Sequence, residues 1–464
     1  MAKVERPNSL LAAASAAPVS IQRERQTDVA NSIFHPDFKA KPYWWDAYQP
    51  VALPPIDLPK DIGVAIVGAG YAGLNAALEL AGHGIESIVL DAAEPGFGAS
   101  TRSGGQVSGG LNVGKRVIAK PLIPEQAKPF LNDAMDSFTH IETLITANNI
   151  ECGWTKSGYF LGAWCKSHFD TMVKKMATLN IEIEAGARMI SPAEQRNEIG
   201  SDYYHGGMVV DRAAHLHPAL YFKGLLDLVQ KAGVRIASNT PVVGLTQENG
   251  GTWQVKTPHG TIRAGHVIIA TNGYTGDVTP ELKRRVVPLG SYIIATEELA
   301  PDLARTLIPH NRSMADTRRV LTYFRLSPDG KRMIFGGRAR FGFMDPTETA
   351  PLLHRFMTDR FPQLKDTRIT HAWTGNVAFA VDEMPHMGKR EGLHFALCCN
   401  GSGIAMMSYL GRETARKAAG LSNRHIAFDS QDFPTLPFYN GNPWFLPLVG
   451  SWFRTADWLD RKFS

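Results

Sequence analysis

GVAIVGAGYAGLNAALELAGHGIESIVLDAAEPGFGAS, from Gly63 to Ser100, alternates strand, glycine turn, helix, strand and acid. Gly63 to Val67 is the short apolar run of a parallel strand buried on both faces. Gly68, Gly70 and Gly73 follow. Gly68 suits the tight turn, Gly70 lets backbone approach a pyrophosphate, and Gly73 lets the next helix lie close to the strand. That helix is expected from about Ala72 to His83, with Gly84 ending it and Leu74, Ala77, Leu78 and Ala81 on one face. Its N-terminus offers unpaired N–H groups to phosphate. Ile85 to Leu90 reads as the second strand. Asp91 stands at its carboxyl end, 23 residues after Gly68, where an acid suits ribose hydroxyls. The pattern is that of a dinucleotide site; a structural βαβ turn without ligand is the alternative. Spacing alone does not separate NAD from FAD.

The residues after Asp91 favour the flavin. Glu94 to Gln106 is a long loop rich in small and hydroxyl residues, where NAD-binding chains usually enter another helix. Its backbone amides suit a flavin and its diphosphate, with Arg102 as a charge partner. An ordinary surface loop is the alternative.

The rest of the chain sets bounds. At 464 residues and 44% hydrophobic content it can bury a large core in two or three lobes. Its 43 glycines and 29 prolines suit an α/β enzyme rather than a helical bundle. A net charge of +5 without runs of like charge argues against nucleic acid as a partner. Cys152, Cys165, Cys398 and Cys399 form no CxxC pair, which points to a reducing cytoplasm. No apolar run reaches 18 residues, and the segment Ser9 to Ser20 is too mixed for an export signal.

Together, GAGYAG, LDAAEPGFGASTRSGGQ, VIIATNGYT (from Val267), LTYFRLSPDGKRMIFGGR (from Leu321) and HAWTGNVAFAVDEMPHMG (from His371) resemble the D-amino-acid oxidase superfamily of flavoproteins. KPYWWDAYQP, from Lys41, resembles the N-terminal arm of its bacterial gamma-glutamylputrescine oxidoreductase-like branch. The resemblance implies non-covalent FAD and an α/β chain, α+β overall, in which a Rossmann-like FAD-binding domain is interleaved with a mixed-sheet substrate domain. It gives an N-terminal arm over 1–60, the FAD domain over 61–114, 206–285 and 371–425, the substrate domain over 115–205 and 286–370, and a tail over 426–464. Cofactor contacts are implied from Gly68, Gly70, Tyr71, Ala72, Gly73, Asp91, Ala99, Ser100, Thr101, Arg102, Gly105 and Gln106. Val243, Ala270, Asn272, Gly273, Gly401, Ser402, Gly403 and Ile404 complete that set. The helix starting at Ile404 would aim its N-terminal dipole at the flavin. Ser327-Pro-Asp-Gly330 reads as a hairpin turn.

Function follows from presences and absences. There is no second GxGxxG for a nicotinamide and no CxxxxC, so the flavin is expected to be reduced by an organic substrate. The class of reaction is hydride transfer from a C–H beside nitrogen, followed by imine hydrolysis. Amino-acid oxidases of the superfamily carry a G-x-R-P segment whose arginine grips the substrate carboxylate. Here the matching stretch is Gly375-Asn376-Val377-Ala378, which favours an amine without an adjacent carboxylate; Arg325 or Arg338 are the other candidates for that charge. Ser402 replaces a branch histidine, and residues 371–390 contain no cysteine for a covalent flavin. Tyr323, Arg325, His371 and Trp373 are the candidate cavity residues. Asp382, Glu383 and His386 are read as solvated polar groups, so no metal is expected. The alternatives are an amino-acid or sarcosine-type oxidase and a flavin-bound scaffold without turnover. Oxygen or a quinone-type carrier would take the electrons. In the tail, positions 445, 449, 452, 456, 459 and 463 share a helical face. That face would dock on the chain itself or a sister subunit, or lie peripherally on a membrane. Residues 1–40 show no periodicity.

Overall fold

The computed structural model describes residues 33–108, 124–338, 344–429 and 432–464; most of the non-periodic N-terminal stretch lies outside them. Two sheets organise the chain. In the first, strands Arg235–Ala237, Ser87–Leu90, Asp61–Val67, Gly260–Ile269 and Leu393–Leu397 lie parallel in that order. Their apolar side chains are buried on both faces, as parallel strands under helices require. Helices Tyr71–Gly82, Pro218–Lys231 and Gly403–Ala418 pack on one face. The antiparallel strands Gly244–Gln247 and Trp253–Thr257 extend the sheet beyond Gly260–Ile269.

The second sheet has nine strands among the described residues. Its order is Phe34–Lys39, Ile369–Phe379, Val287–Thr296, Met333–Gly337, Thr322–Leu326, Ser313–Asp316, Tyr159–Gly162, Gly207–Val210 and Ala187–Ile190. This is the interleaved α/β architecture expected. The strand inventory differs from expectation at three points: Gly207–Val210 and Ile369–Phe379 pair in the second sheet, and Phe34–Lys39, from the supposedly irregular arm, forms its edge. An apolar run identifies a strand; only hydrogen-bond partners decide which sheet it joins. The turn at Ser327 is as read, with Gly330 N–H donating to Ser327 O at 2.8 Å and φ +73° at Gly330.

Alternation gives this sheet two different faces. Phe160, Val209, Ile294, Met314, Phe324 and Phe335 point outward into a core shared with helix Pro346–Arg360. Leu161, Met208, Ile293, Ala315, Tyr323 and Val377 point inward toward the first sheet. On the outer side Arg360, 1% exposed, donates to Asp316 at 2.8 Å and to Tyr204 Oη at 2.7 Å. Asp316 also accepts from Thr322 Oγ1 at 2.6 Å. Burial opposes ionisation of this carboxyl, but Arg318 and Arg360 hold its pKa below the ordinary range.

The tail folds as helix Leu446–Phe463, and of the stripe expected to dock only Ala456 is fully buried. Leu446, Gly450, Ala456 and Asp457 are its buried positions, whereas Trp452, Leu459 and Phe463 are exposed. The polar Asp457 is drawn inward because it accepts from the Arg319 and Val320 N–H groups, both at 3.0 Å.

Removing one partner of a buried ion pair strands the other, so Arg360→Met is expected to cost about 3–5 kcal/mol in urea unfolding. Because the folded pKa of Asp316 is depressed, its contribution is present above the unfolded value of about 3.9 and is lost as pH falls through the folded one. The variant should therefore show a shallower acid loss of stability than wild type.

Candidate functional site: a cavity between the two sheets

A cavity of about 1060 Å³ lies between the first sheet and the inward face of the second. That exceeds the roughly 300–1,000 Å³ of a site for one small molecule. Its first wall is the opening motif. Gly68 takes φ +106°, and its N–H donates to Leu90 O at 2.8 Å. A Cβ on Gly73 would lie 1.9 Å from Gly68 O, so only glycine lets the helix sit this close. Gly70 caps the helix without a side-chain hydrogen bond of its own, and the first helical N–H, that of Tyr71, donates to Ser100 Oγ at 3.2 Å on the cavity wall. Asp91 accepts from Ala69 N–H at 2.6 Å and Ala93 N–H at 2.9 Å, and burial raises its pKa above the ordinary carboxylate value.

The second wall is the loop Gly96–Gly105, and side chains from all over the fold fasten its carbonyls. Tyr71 Oη donates to Ser100 O at 2.6 Å and Thr101 Oγ1 to Gly96 O at 2.8 Å. Arg102 Nε donates to Phe97 O at 2.7 Å, Trp44 Nε1 to Ser103 O at 2.8 Å, and Trp373 Nε1 to Arg102 O at 2.7 Å. Arg325 Nε donates to Gly104 O at 2.8 Å. With its carbonyls engaged from behind, the loop is held as part of the wall.

Of the cofactor positions expected, only Gly73, Thr101, Val243 and Gly273 stand outside the cavity lining. Gly73 works at the helix–strand contact and Thr101 accepts from Trp45 Nε1 at 2.9 Å. Gly273 packs on Asn376. Val243 is 58% exposed and its neighbour Val242 lines the cavity instead, a one-residue offset that changes the side a residue faces. Arg102, read as a charge partner, lies between the rings of Trp45 and Phe97, 4.5 Å from each centroid, and also donates to Thr374 O.

The cavity candidates divide. Tyr323 lines the cavity, its hydroxyl 2.9 Å from Ser291 Oγ and its pKa pushed up to about 12 by burial. Arg325, His371 and Trp373 do not line it. Arg325 is fully buried behind the loop, where Nη2 donates to Leu216 O at 2.6 Å and Nη1 to His215 Nδ1 at 3.0 Å. Burial pushes His215 down to about 3, so its ring is neutral and Nδ1 accepts. His371, pushed down to about 4 by burial, is likewise neutral and meets Asp46 at 3.0 Å on the arm. Trp373 packs edge-on against Trp44. Tyr323 and Arg325 share a strand face, as the two-residue period dictates, but the loop covers Arg325. His386 pairs with Asp382 at 3.1 Å, and no group of three metal-ligating side chains occurs among the described residues.

Reading the sequence alone missed the fastening role of Trp44 and Trp45, for which the paired tryptophans were the available signal. It also missed Ser103. Ser103 Oγ and Ser402 Oγ are buried on the cavity wall without a hydrogen-bond partner among the described residues. Ser402 is the N-cap of helix Gly403–Ala418, so a hydroxyl and a helix N-terminus face one space. Two glycine-framed helix N-termini, a half-buried acid and two orphan hydroxyls fit FAD, with Asp91 toward ribose and Gly70–Ala72 toward diphosphate. The four cysteines are free and buried.

Losing one fastening hydrogen bond costs about 0.5–1.5 kcal/mol. Trp373→Phe should thus bind FAD about 2- to 10-fold more weakly in a fluorescence titration of apoprotein, with substrate KM unchanged. A changed KM at unaltered FAD affinity would return Trp373 to the substrate side.

Comparison with known proteins agrees with this geometry. The DAO family model, FAD dependent oxidoreductase, matches residues 63–417. The probable oxidoreductase OrdL of Haemophilus influenzae is 32% identical over 403 residues, covering 85% of this chain and 91% of its own. The gamma-glutamylputrescine oxidoreductase of Escherichia coli is 32% identical over 395 residues, covering 83% and 90%. In fold, the chain is similar to glycine oxidase from Geobacillus kaustophilus, with a TM-score of 0.68 at 17% identity over 82% of this chain and 99% of that one. L-proline dehydrogenase from P. horikoshii gives 0.66 at 20% identity over 81% and 98%. From the glycine turn that opens the cavity to the helix that closes it, the chain belongs to the DAO family of FAD-dependent oxidoreductases.

Proposed function

We propose that the protein oxidises the carbon beside a primary or secondary amine nitrogen, in a substrate with no carboxylate on that carbon and a sizeable tail. The observation that supports it is Val377 in the cavity wall, where the family resemblance leads to an arginine in amino-acid oxidases. Valine offers a carboxylate nothing, and its neighbours Leu289, Ile293 and Phe379 are apolar too. FAD, when bound, supplies the acceptor for the hydrogen and electron pair leaving that carbon. The chain's own contribution is placement and desolvation. An apolar wall excludes water and favours the neutral amine, the form that can be oxidised. Tyr323, protonated at neutral pH and tied to Ser291, adds a polar group that can orient the amine without ionising. The imine product is split by water to a carbonyl compound and an amine. The free, buried cysteines support a reducing, cytoplasmic setting. The second reading, an amino-acid or sarcosine-type oxidase, draws on Arg338, which also lines the cavity.

Anaerobic addition of gamma-glutamylputrescine, putrescine and sarcosine, each alone, to the holoenzyme tests the proposal. The expected outcome is bleaching of the flavin by gamma-glutamylputrescine and none by sarcosine. Bleaching by sarcosine alone would overturn it in favour of the second reading, and no bleaching by any amine would favour a flavin-bound scaffold.

A further inference from the structure

Helix Leu446–Phe463 is covered by the body on one side only. Among the side chains it turns to solvent are Leu448, Trp452, Leu459 and Phe463, spaced four, seven and four residues apart, so they stand in one row along the helix. Trp452 and Phe463 are 64% and 75% exposed, and the exposed Trp458 flanks the row. A contiguous apolar row on a surface, unlike scattered single residues, marks a contact face.

The charges of the helix are sorted between its two sides. Asp457 and Asp460 turn to the body, where each pairs with Arg319, and Asp460 also meets His168 at 3.4 Å. Arg461 lies over the rings of Trp164 and Tyr203, 4.1 and 4.6 Å from their centroids. The remaining two, Arg454 and Lys462, are exposed, and both are cations. Lys462 Nζ lies 4.7 Å from the Trp458 ring centroid and 5.5 Å from that of Phe463, so its charge sits at the border of the apolar row. The outward surface is therefore apolar with a basic edge, and both acids of the helix are committed to the body.

The loop before the helix adds an independent observation. Phe438 is 98% exposed at φ +60°, a left-handed conformation that a bulky side chain enters only under strain. It is held there because its neighbours Leu436 and Tyr439 pack with Leu446 of the helix, and Tyr439 Oη donates to Val286 O at 2.7 Å. A phenylalanine held in water by the fold is placed for an apolar phase outside the molecule.

We propose that this face is a docking surface for an anionic lipid bilayer. The helix lies in the plane of the interface, its apolar row enters between headgroups, and Arg454 and Lys462 meet lipid phosphates. No described helix is long and apolar enough to cross a membrane, so the contact is peripheral. Tryptophan beside lysine and arginine is the composition that a bilayer boundary favours, since the rings suit headgroup depth and the cations meet the negative surface. A second copy of the chain suits the face less well. A two-fold contact sets one patch against itself, and the two cations would find no outward acid on the helix opposite. Docking also sets the position of the cavity. Phe453, on the body side of the same helix, lines it, which puts a cavity wall one helix diameter, about 10 Å, from the lipid.

The test sediments the FAD-loaded enzyme with vesicles of phosphatidylcholine, alone or mixed with phosphatidylglycerol. Wild type should sediment with the anionic vesicles, its tryptophan emission shifting to the blue. It should stay in solution with phosphatidylcholine alone or at high salt. Trp452→Ser combined with Phe463→Ser should bind the anionic vesicles about tenfold more weakly. Arg454→Ala combined with Lys462→Ala should also lose about tenfold. Flavin content and thermal midpoint should be unaltered in both. No sedimentation of wild type with anionic vesicles, or equal binding by either double variant, would overturn the proposal. A dimer in sedimentation velocity that Trp452→Ser with Phe463→Ser abolishes, without vesicle binding by wild type, would assign the face to a second copy instead.

Discussion

Everything at the site depends on one loop being kept still. Gly96–Gly105 has only the short 3-10 turn Ala99–Thr101 as regular structure, so most of its carbonyls are held one by one. The donors come from far apart in sequence: Trp44 from the arm, Tyr71 from the first helix, Arg325 and Trp373 from the second sheet. Four of the side chains most suggestive of chemistry or packing thus converge on the back of a single loop. The same bonds join the arm and the second sheet to the nucleotide side of the cavity, so that cofactor geometry and the docking of the two sheets are one mechanical problem.

The second sheet solves a further problem by alternation. Its outward residues bury against helix Pro346–Arg360, where Phe324 stacks on Phe335 with ring centroids 5.2 Å apart. Its inward residues form the other cavity wall. Alternation sends the two sets to opposite sides of each strand, so one strand can serve a core and a cavity at once. That separation lets Val377, Tyr323 and Phe379 line the cavity on a sheet whose other face is closely packed.

Burial also sorts the titratable groups. His215 and His371 are neutral through desolvation and serve as hydrogen-bond spacers behind the site. The Asp316–Arg360 pair, wholly inside, stays ionised because each charge has several partners. Neither histidine lines the cavity, so neither is placed to exchange a proton with a molecule bound there.

The sequence by itself determined the nucleotide half. The turn Gly68–Gly73, the helix after it and Asp91 are local: their spacing follows from rise per residue and steric room, and the helix falls within one residue of its expected limits at Tyr71–Gly82. Tertiary structure decided the rest. Which sheet receives Gly207–Val210 or Ile369–Phe379, and which stripe of the tail helix turns inward, depends on partners hundreds of residues away. Arg325, His371 and Trp373 read as cavity residues because polar and aromatic side chains on an inward-facing strand resemble a binding wall. Only the fold places a loop and an arm across that strand, turning the same side chains into supports, since a hydrogen bond's partner is a property of three-dimensional proximity and not of residue type.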